Sequence, residues 1–236
     1  MQNRRLTAVP SGREVLAGVC FLPFYLFLLS AALQLLLRRL LGRAPAAVLV
    51  NLLYYLLCAA AVLLIFRRFL AENRRIFREK RRAILLRLPL WLAGYLAVSL
   101  LLDVLIGRLA PGFHNRNNDA LTAMMAEHFA AVLLFAAVFA PLVEETLFRG
   151  LLFGALHRHS RAAAYVTASA CFAAIHVLGY LPALTAAEAL LSAAQYLPAA
   201  LVLCALYERT DTIFAPMLLH GAVNLINCIV IRTMGG

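Results

Sequence analysis

The sequence predicts an all-α fold: a polytopic transmembrane helical bundle of about seven membrane helices plus one basic interfacial helix. Three observations predict it. Hydrophobic residues make up 64% of the 236 and charged residues only 14%, against about 45–50% and about 25% in an average soluble domain. The apolar residues fall in runs close to the roughly 20 that a membrane helix needs. The charges sit in short clusters between those runs, where they set orientation in a bilayer.

Taken in order, the spans are 15–37, 46–66, 88–107, 121–157, 162–181, 187–207 and 212–231. Arg38 and Arg39 end the first, and Arg67 and Arg68 end the second. The first run is longer than the core of about 7–15 residues in a cleavable signal, so an uncleaved helix is expected. The fourth is interrupted by charges. No internal repeat divides the chain, and 1–236 is expected to form a single integral membrane domain. Between spans two and three, residues 67–87 carry nine basic and two acidic side chains. Phe69, Leu70, Ile76, Phe77 and Ile84 give this segment a partly amphipathic pattern, so it is expected to lie on the membrane surface against anionic headgroups.

The net charge of +11 is carried almost wholly by arginine. Its distribution into inter-span clusters argues for lipid and against nucleic acid as the partner. Counting inter-span charges places fifteen basic residues on the N-terminal side and six on the other. That bias puts the N-terminus in the cytoplasm. Cys20, Cys58, Cys171, Cys204 and Cys228 all fall in apolar runs without a CxxC pair, and are read as packing residues. His114, His128, His157 and His159 lie at span boundaries and are read as interfacial.

Charges inside a span cost about 2.5–3.5 kcal/mol each on insertion scales and normally face a partner or a wet cavity. Span four carries Glu144, Glu145 and Arg149. Span five carries His176, and span seven carries His220 and Asn224. At 1.5 Å per residue, Glu144, His176, His220 and Asn224 lie roughly 20, 21, 12 and 18 Å from the N-terminal side. This shared layer groups them as one site in the cytoplasmic half of the bilayer. Glu145 and Arg149 are four apart and can pair, while Glu144 points about 100° away and is left to face a cavity. Phe172 and His176 share a face, as do His220 and Asn224. Pro141 and Pro216 each remove a backbone donor near the site and are expected to open their helices to water.

A carboxylate and an imidazole around one water can make a nucleophile. A second imidazole and an amide can donate to an oxyanion forming on a carbonyl. Together these suit peptide-bond hydrolysis. Glu144, His176 and His220 are also a ligand set that zinc or another divalent metal could take. No HExxH, GxSxG or P-loop is present.

The motifs EExxxR as "EETLFR", FxxxH as "FAAIH" and HxxxN as "HGAVN" occur in that order on successive spans. This arrangement resembles the CAAX protease and bacteriocin-processing (CPBP, or Abi) family of intramembrane endopeptidases, over a catalytic core at 121–231. The resemblance implies that Glu144, assisted by His176, activates water. It implies that His220 and Asn224 stabilise the oxyanion, and that Glu145 and Arg149 brace the site. Phe172 is a supporting residue. A metal-free glutamate mechanism with no required cofactor is the preferred expectation, with a metalloprotease as the alternative. The compact layout points to a bacterial cytoplasmic membrane, and so to a membrane-associated peptide or protein as substrate, bacteriocin processing included. Two other classes keep the same polar set: a non-catalytic immunity or scaffold protein, and a proton-coupled transporter, which the missing internal repeat disfavours.

Overall fold

The computed structural model describes residues 6–234, and every regular element among them is helical. Arg4 and Arg5, two of the charges counted for orientation, lie outside the described residues. Among the described residues, seven helices are long and apolar enough to cross a membrane. They are α1 (Gly12–Leu41), α2 (Ala47–Ile65), α3 (Arg67–Leu109), α4 (Arg116–His157), α5 (Arg161–Leu178), α6 (Ala186–Thr210) and α7 (Phe214–Met234). Their outer faces expose leucines such as Leu16, Leu40, Leu64 and Leu90, as a lipid-facing surface requires. Among the described residues all five cysteines are free thiols, with Cys58, Cys204 and Cys228 buried; Cys20 is exposed on the outer face.

The helix ends follow local rules. Ser11 accepts from the Glu14 N–H while Glu14 returns a carboxylate oxygen to the Ser11 N–H, the reciprocal arrangement that satisfies two orphan donors. Thr185 and Glu188 do the same for α6. α6 stops at Asp211, whose backbone is left-handed at φ 60, a conformation aspartate tolerates better than most residues.

The basic segment is not a separate element. It is the first half of the 43-residue α3, which at 1.5 Å per residue is about 65 Å long, twice the hydrocarbon thickness. Its apolar face turns toward the protein: Phe69, Leu70, Ile76 and Ile84 are buried. Phe69 N–H donates to Glu14 at 2.9 Å. Asn73, fully buried, accepts from Ile213 N–H at 2.8 Å through Oδ1 and from Thr212 Oγ1 at 2.9 Å through its carbonyl. These bonds pull the start of α3 across one end of the bundle, here termed the basic end. Residues 6–13, 158–160 and 211–213 gather there. His157 belongs there too. It is buried, not interfacial, with Nε2 2.8 Å from Glu208 Oε1. Glu208 also accepts from Arg161 and Tyr165.

The opposite, far end holds residues 42–46, 110–115 and 179–185. α4 reaches it through a break at His128, where φ is −135 and ψ is 46. The helical stretch before the break therefore leaves the line of the span. Asn117 on this stretch donates to Tyr196 Oη at 3.0 Å, and neighbouring Asn115 donates to Gln195 at 2.8 Å. Among the described residues the largest apolar cluster joins α1, α2, α3, α4, α5 and α6 around Phe66, Phe148, Phe153 and Phe172.

Candidate active site

The site is built on a backbone irregularity in α4. Residues Phe135–Phe139 and Glu145–Phe153 are wound as π-helix, a geometry that recurs at functional positions. Ala140 N–H reaches back five residues to Phe135 O. The next carbonyl, Ala136, would look to residue 141 for its donor, and residue 141 is proline. Asn224 supplies the donor: its Nδ2 lies 2.8 Å from Ala136 O. Gly221 makes that approach feasible, because a Cβ there would lie 2.7 Å from the Ala137 carbonyl oxygen. Pro141 thus does open the ladder as expected, and α7 closes the gap. Pro216 does not act this way. It lies in the first turn of α7, where N–H groups have no intrahelical partner to lose.

The two glutamates separate as their helical positions predict. Glu145 is fully buried, and its Oε1 accepts from Arg149 Nη1 at 2.9 Å. Arg149, also fully buried, donates through Nη2 to Ala200 O at 3.2 Å. Its guanidinium lies 4.3 Å from the centre of the Phe172 ring. Glu144 takes no part in that pair. Its Oε1 accepts from Tyr55 Oη at 3.0 Å, while its Oε2 is buried without a hydrogen-bond partner. A buried charge in that condition is costly unless a further group meets it.

Both histidines have one nitrogen committed. His176 Nδ1 lies 2.8 Å from Phe172 O. A carbonyl only accepts, so Nδ1 carries the hydrogen and the neutral ring presents a lone pair at Nε2. The His176 ring stacks on Tyr196, with centroids 4.0 Å apart and planes 20° from parallel. Phe172 packs beside it at 4.9 Å, as the four-residue spacing predicts. His220 Nδ1 lies 2.8 Å from Glu145 Oε1, so the second carboxylate fixes its ring. His220 Nε2 then faces Glu144 Oε2 at 4.0 Å, too long for a hydrogen bond. The sequence did not announce this link, because Glu145 had a partner already in Arg149.

Glu144, His176, His220 and Asn224 line one cavity of about 230 Å³. Its wall also includes Tyr55, Asn117, Asn118, Tyr180 and Tyr196. Asn117, Asn118 and Tyr180 belong to the far end, and His176 is two residues from the far end of α5. The cavity therefore extends to the face opposite the N-terminal segment, which corrects the expected position in the N-terminal half. The physical reason is that α5 is only 18 residues long, which leaves His176 within its last turn. Tyr55 and Tyr196 were missed for a simpler reason: neither stands in a motif. The available signal was a phenol within an apolar span, since a buried Tyr hydroxyl needs a partner.

Glu144, His176 and His220, the ligand set for the alternative in which a metal is present, do not converge as ligands as arranged. Among the described residues no three His, Cys, Asp or Glu side chains converge as metal ligands.

An all-helical membrane bundle with a carboxylate and two oriented imidazoles around one cavity defines the class: an integral membrane protein with a buried polar site. Residues 126–226 match the family model described as Rce1-like, type II CAAX prenyl endopeptidase Rce1-like. The matched segment holds all three motifs. No curated protein and no solved structure matches the chain.

Proposed function

We propose that this protein is an intramembrane endopeptidase that hydrolyses a peptide bond in a membrane-associated peptide or protein. The observation that carries the reading is Glu144 Oε2: buried and without a partner, on a residue that lines a cavity two histidines share. Glu144 takes a proton from water as the water oxygen attacks the carbonyl carbon. His220, held by Glu145, donates through Nε2 in its protonated form to the developing oxyanion. Asn224 uses one amide hydrogen on Ala136 O and has a second to offer the same oxygen. The C–N bond then breaks as Glu144 passes its proton to the leaving amine. The remaining proton leaves the new carboxylic acid through the Nε2 lone pair of His176. No step requires a metal or cofactor.

The cavity's position bears on the substrate. With the N-terminus in the cytoplasm, the accessible bond lies toward the outer half of the membrane, which suits peptides on their way out of a bacterial cell, bacteriocin precursors among them. The test compares new peptide termini in membranes and medium of cells carrying wild-type protein or Glu144→Gln. A set of termini that appears only with wild type, and that purified protein reproduces, supports the reading. Identical sets overturn it in favour of a non-catalytic binding role.

A further inference from the structure

A second concavity lies on the outside of the bundle between α3 and α6, and nothing in the proposed chemistry uses it. Its volume is about 800 Å³, within the usual range for small-molecule sites. We propose that this groove binds one anionic glycerophospholipid from the leaflet at the basic end.

The order of residues along α3 carries the argument. Lys80, Arg87, Trp91, Gly94 and Val98 all line the groove. Their spacings of seven, four, three and four residues put them on one helix face. Read from the basic end, the stripe passes from cations to an aromatic ring to open apolar wall. That sequence matches headgroup, interface and acyl chain, and tryptophan favours the middle position. From Arg87 to Val98 the helix rises roughly 16 Å, about one leaflet of hydrocarbon.

The facing wall on α6 repeats the order. Arg209 stands at the basic end, its guanidinium 5.8 Å from the centre of the Trp91 ring, and Leu206 and Val202 continue the apolar wall. One carboxylate is near: Asp211 Oδ2 lies 3.7 Å from Lys80 Nζ. That aspartate is engaged with Thr7, accepting from its N–H and its hydroxyl. Lys80 and Arg87 over that one carboxylate leave the headgroup end net positive. Gly94 gives the acyl chain its space, since a Cβ there meets nothing within 4 Å.

Trp91 is the only tryptophan in the chain, so its fluorescence reports on this groove alone. The full-length protein is reconstituted in phosphatidylcholine vesicles containing brominated phosphatidylglycerol or, at equal mole fraction, brominated phosphatidylcholine. The site predicts relative binding of the anionic lipid higher by roughly fivefold or more, the contribution of about one basic residue at a membrane surface. The paired substitution Lys80→Gln and Arg87→Gln should bring the two quenching curves together. Gly94→Leu leaves every charge in place and fills the acyl position, so it should lower quenching by the anionic lipid toward that of phosphatidylcholine. Circular dichroism confirms helical content in each variant. Coincident curves for the wild type would overturn the proposal. So would undiminished anionic preference in Gly94→Leu, which would assign the effect to lipid attracted generally to the basic end.

Discussion

His220 is anchored by Glu145, not by Glu144: its Nδ1 is 2.8 Å from Glu145 Oε1, against 4.0 Å from Nε2 to Glu144 Oε2. The EE pair therefore serves two ends. The second glutamate holds both Arg149 and His220, and the first, on the cavity wall, keeps one oxygen without a hydrogen-bond partner. Replacing Glu145 with Gln should weaken both of its bonds and leave the Arg149 charge buried without a counter-charge. A broken buried pair costs about 3–5 kcal/mol. The expected result is a large fall in the unfolding midpoint together with lost cleavage, whereas His220→Gln should lose cleavage with a much smaller change in midpoint. Thermal unfolding in detergent beside a cleavage assay separates the two, and equal midpoints would contradict the assignment.

Tyr55 positions the carboxylate of Glu144 through Oε1. Its ring is fixed by Phe135, stacked at 5.7 Å and 5° from parallel, so Tyr55→Phe should keep the packing and lose only the bond. A hydrogen bond to a charged group is worth about 1.5–3 kcal/mol, which corresponds to roughly tenfold or more in rate. The loss should fall on kcat, with KM little changed. An unaltered kcat would reduce Tyr55 to a packing residue.

Gly221 is predicted to be intolerant for a backbone reason. Any Cβ there meets the carbonyl oxygen of Ala137 at 2.7 Å, and backbone cannot swing aside as a side chain can. Gly221→Ala should separate α7 from α4 and break the Asn224 bond to Ala136 O, at a cost of about 1–3 kcal/mol. Gly94→Ala is the control, since nothing lies within 4 Å of its Cβ position. Comparing their unfolding midpoints checks the claim, which fails if the two variants match.

Asn73 ties α3 to the turn before α7. Asn73→Ala leaves the Ile213 N–H without an acceptor and removes the Nδ2 bond to Phe69 O. Each buried group so orphaned costs about 1–3 kcal/mol. The variant should unfold earlier yet cleave normally at low temperature, since Asn73 is far from the cavity. Loss of cleavage without loss of stability would contradict this.

Much of this was legible in the sequence because membrane constraints act on single segments. Run length located the spans, and four-residue spacing gave Glu145–Arg149 and Phe172–His176. What the sequence withheld depends on contacts between segments. Residues 67–87 looked amphipathic toward lipid, but Phe69 and Ile84 are buried by the protein itself. Asn224 looked like a reaction partner, and its amide first answers a carbonyl that Pro141 leaves without a donor. Tyr55 reaches Glu144 across 89 positions of sequence, a pairing that no local pattern encodes.

The proposed hydrolysis stands or falls on Glu144 as the base. The most direct measurement is the single-turnover cleavage rate of one identified peptide by purified protein in vesicles, wild type against Glu144→Gln. The expected result is a fall of roughly 10²–10⁴-fold, the usual contribution of a positioned general base, at an unchanged unfolding midpoint. Rates equal within twofold would contradict it.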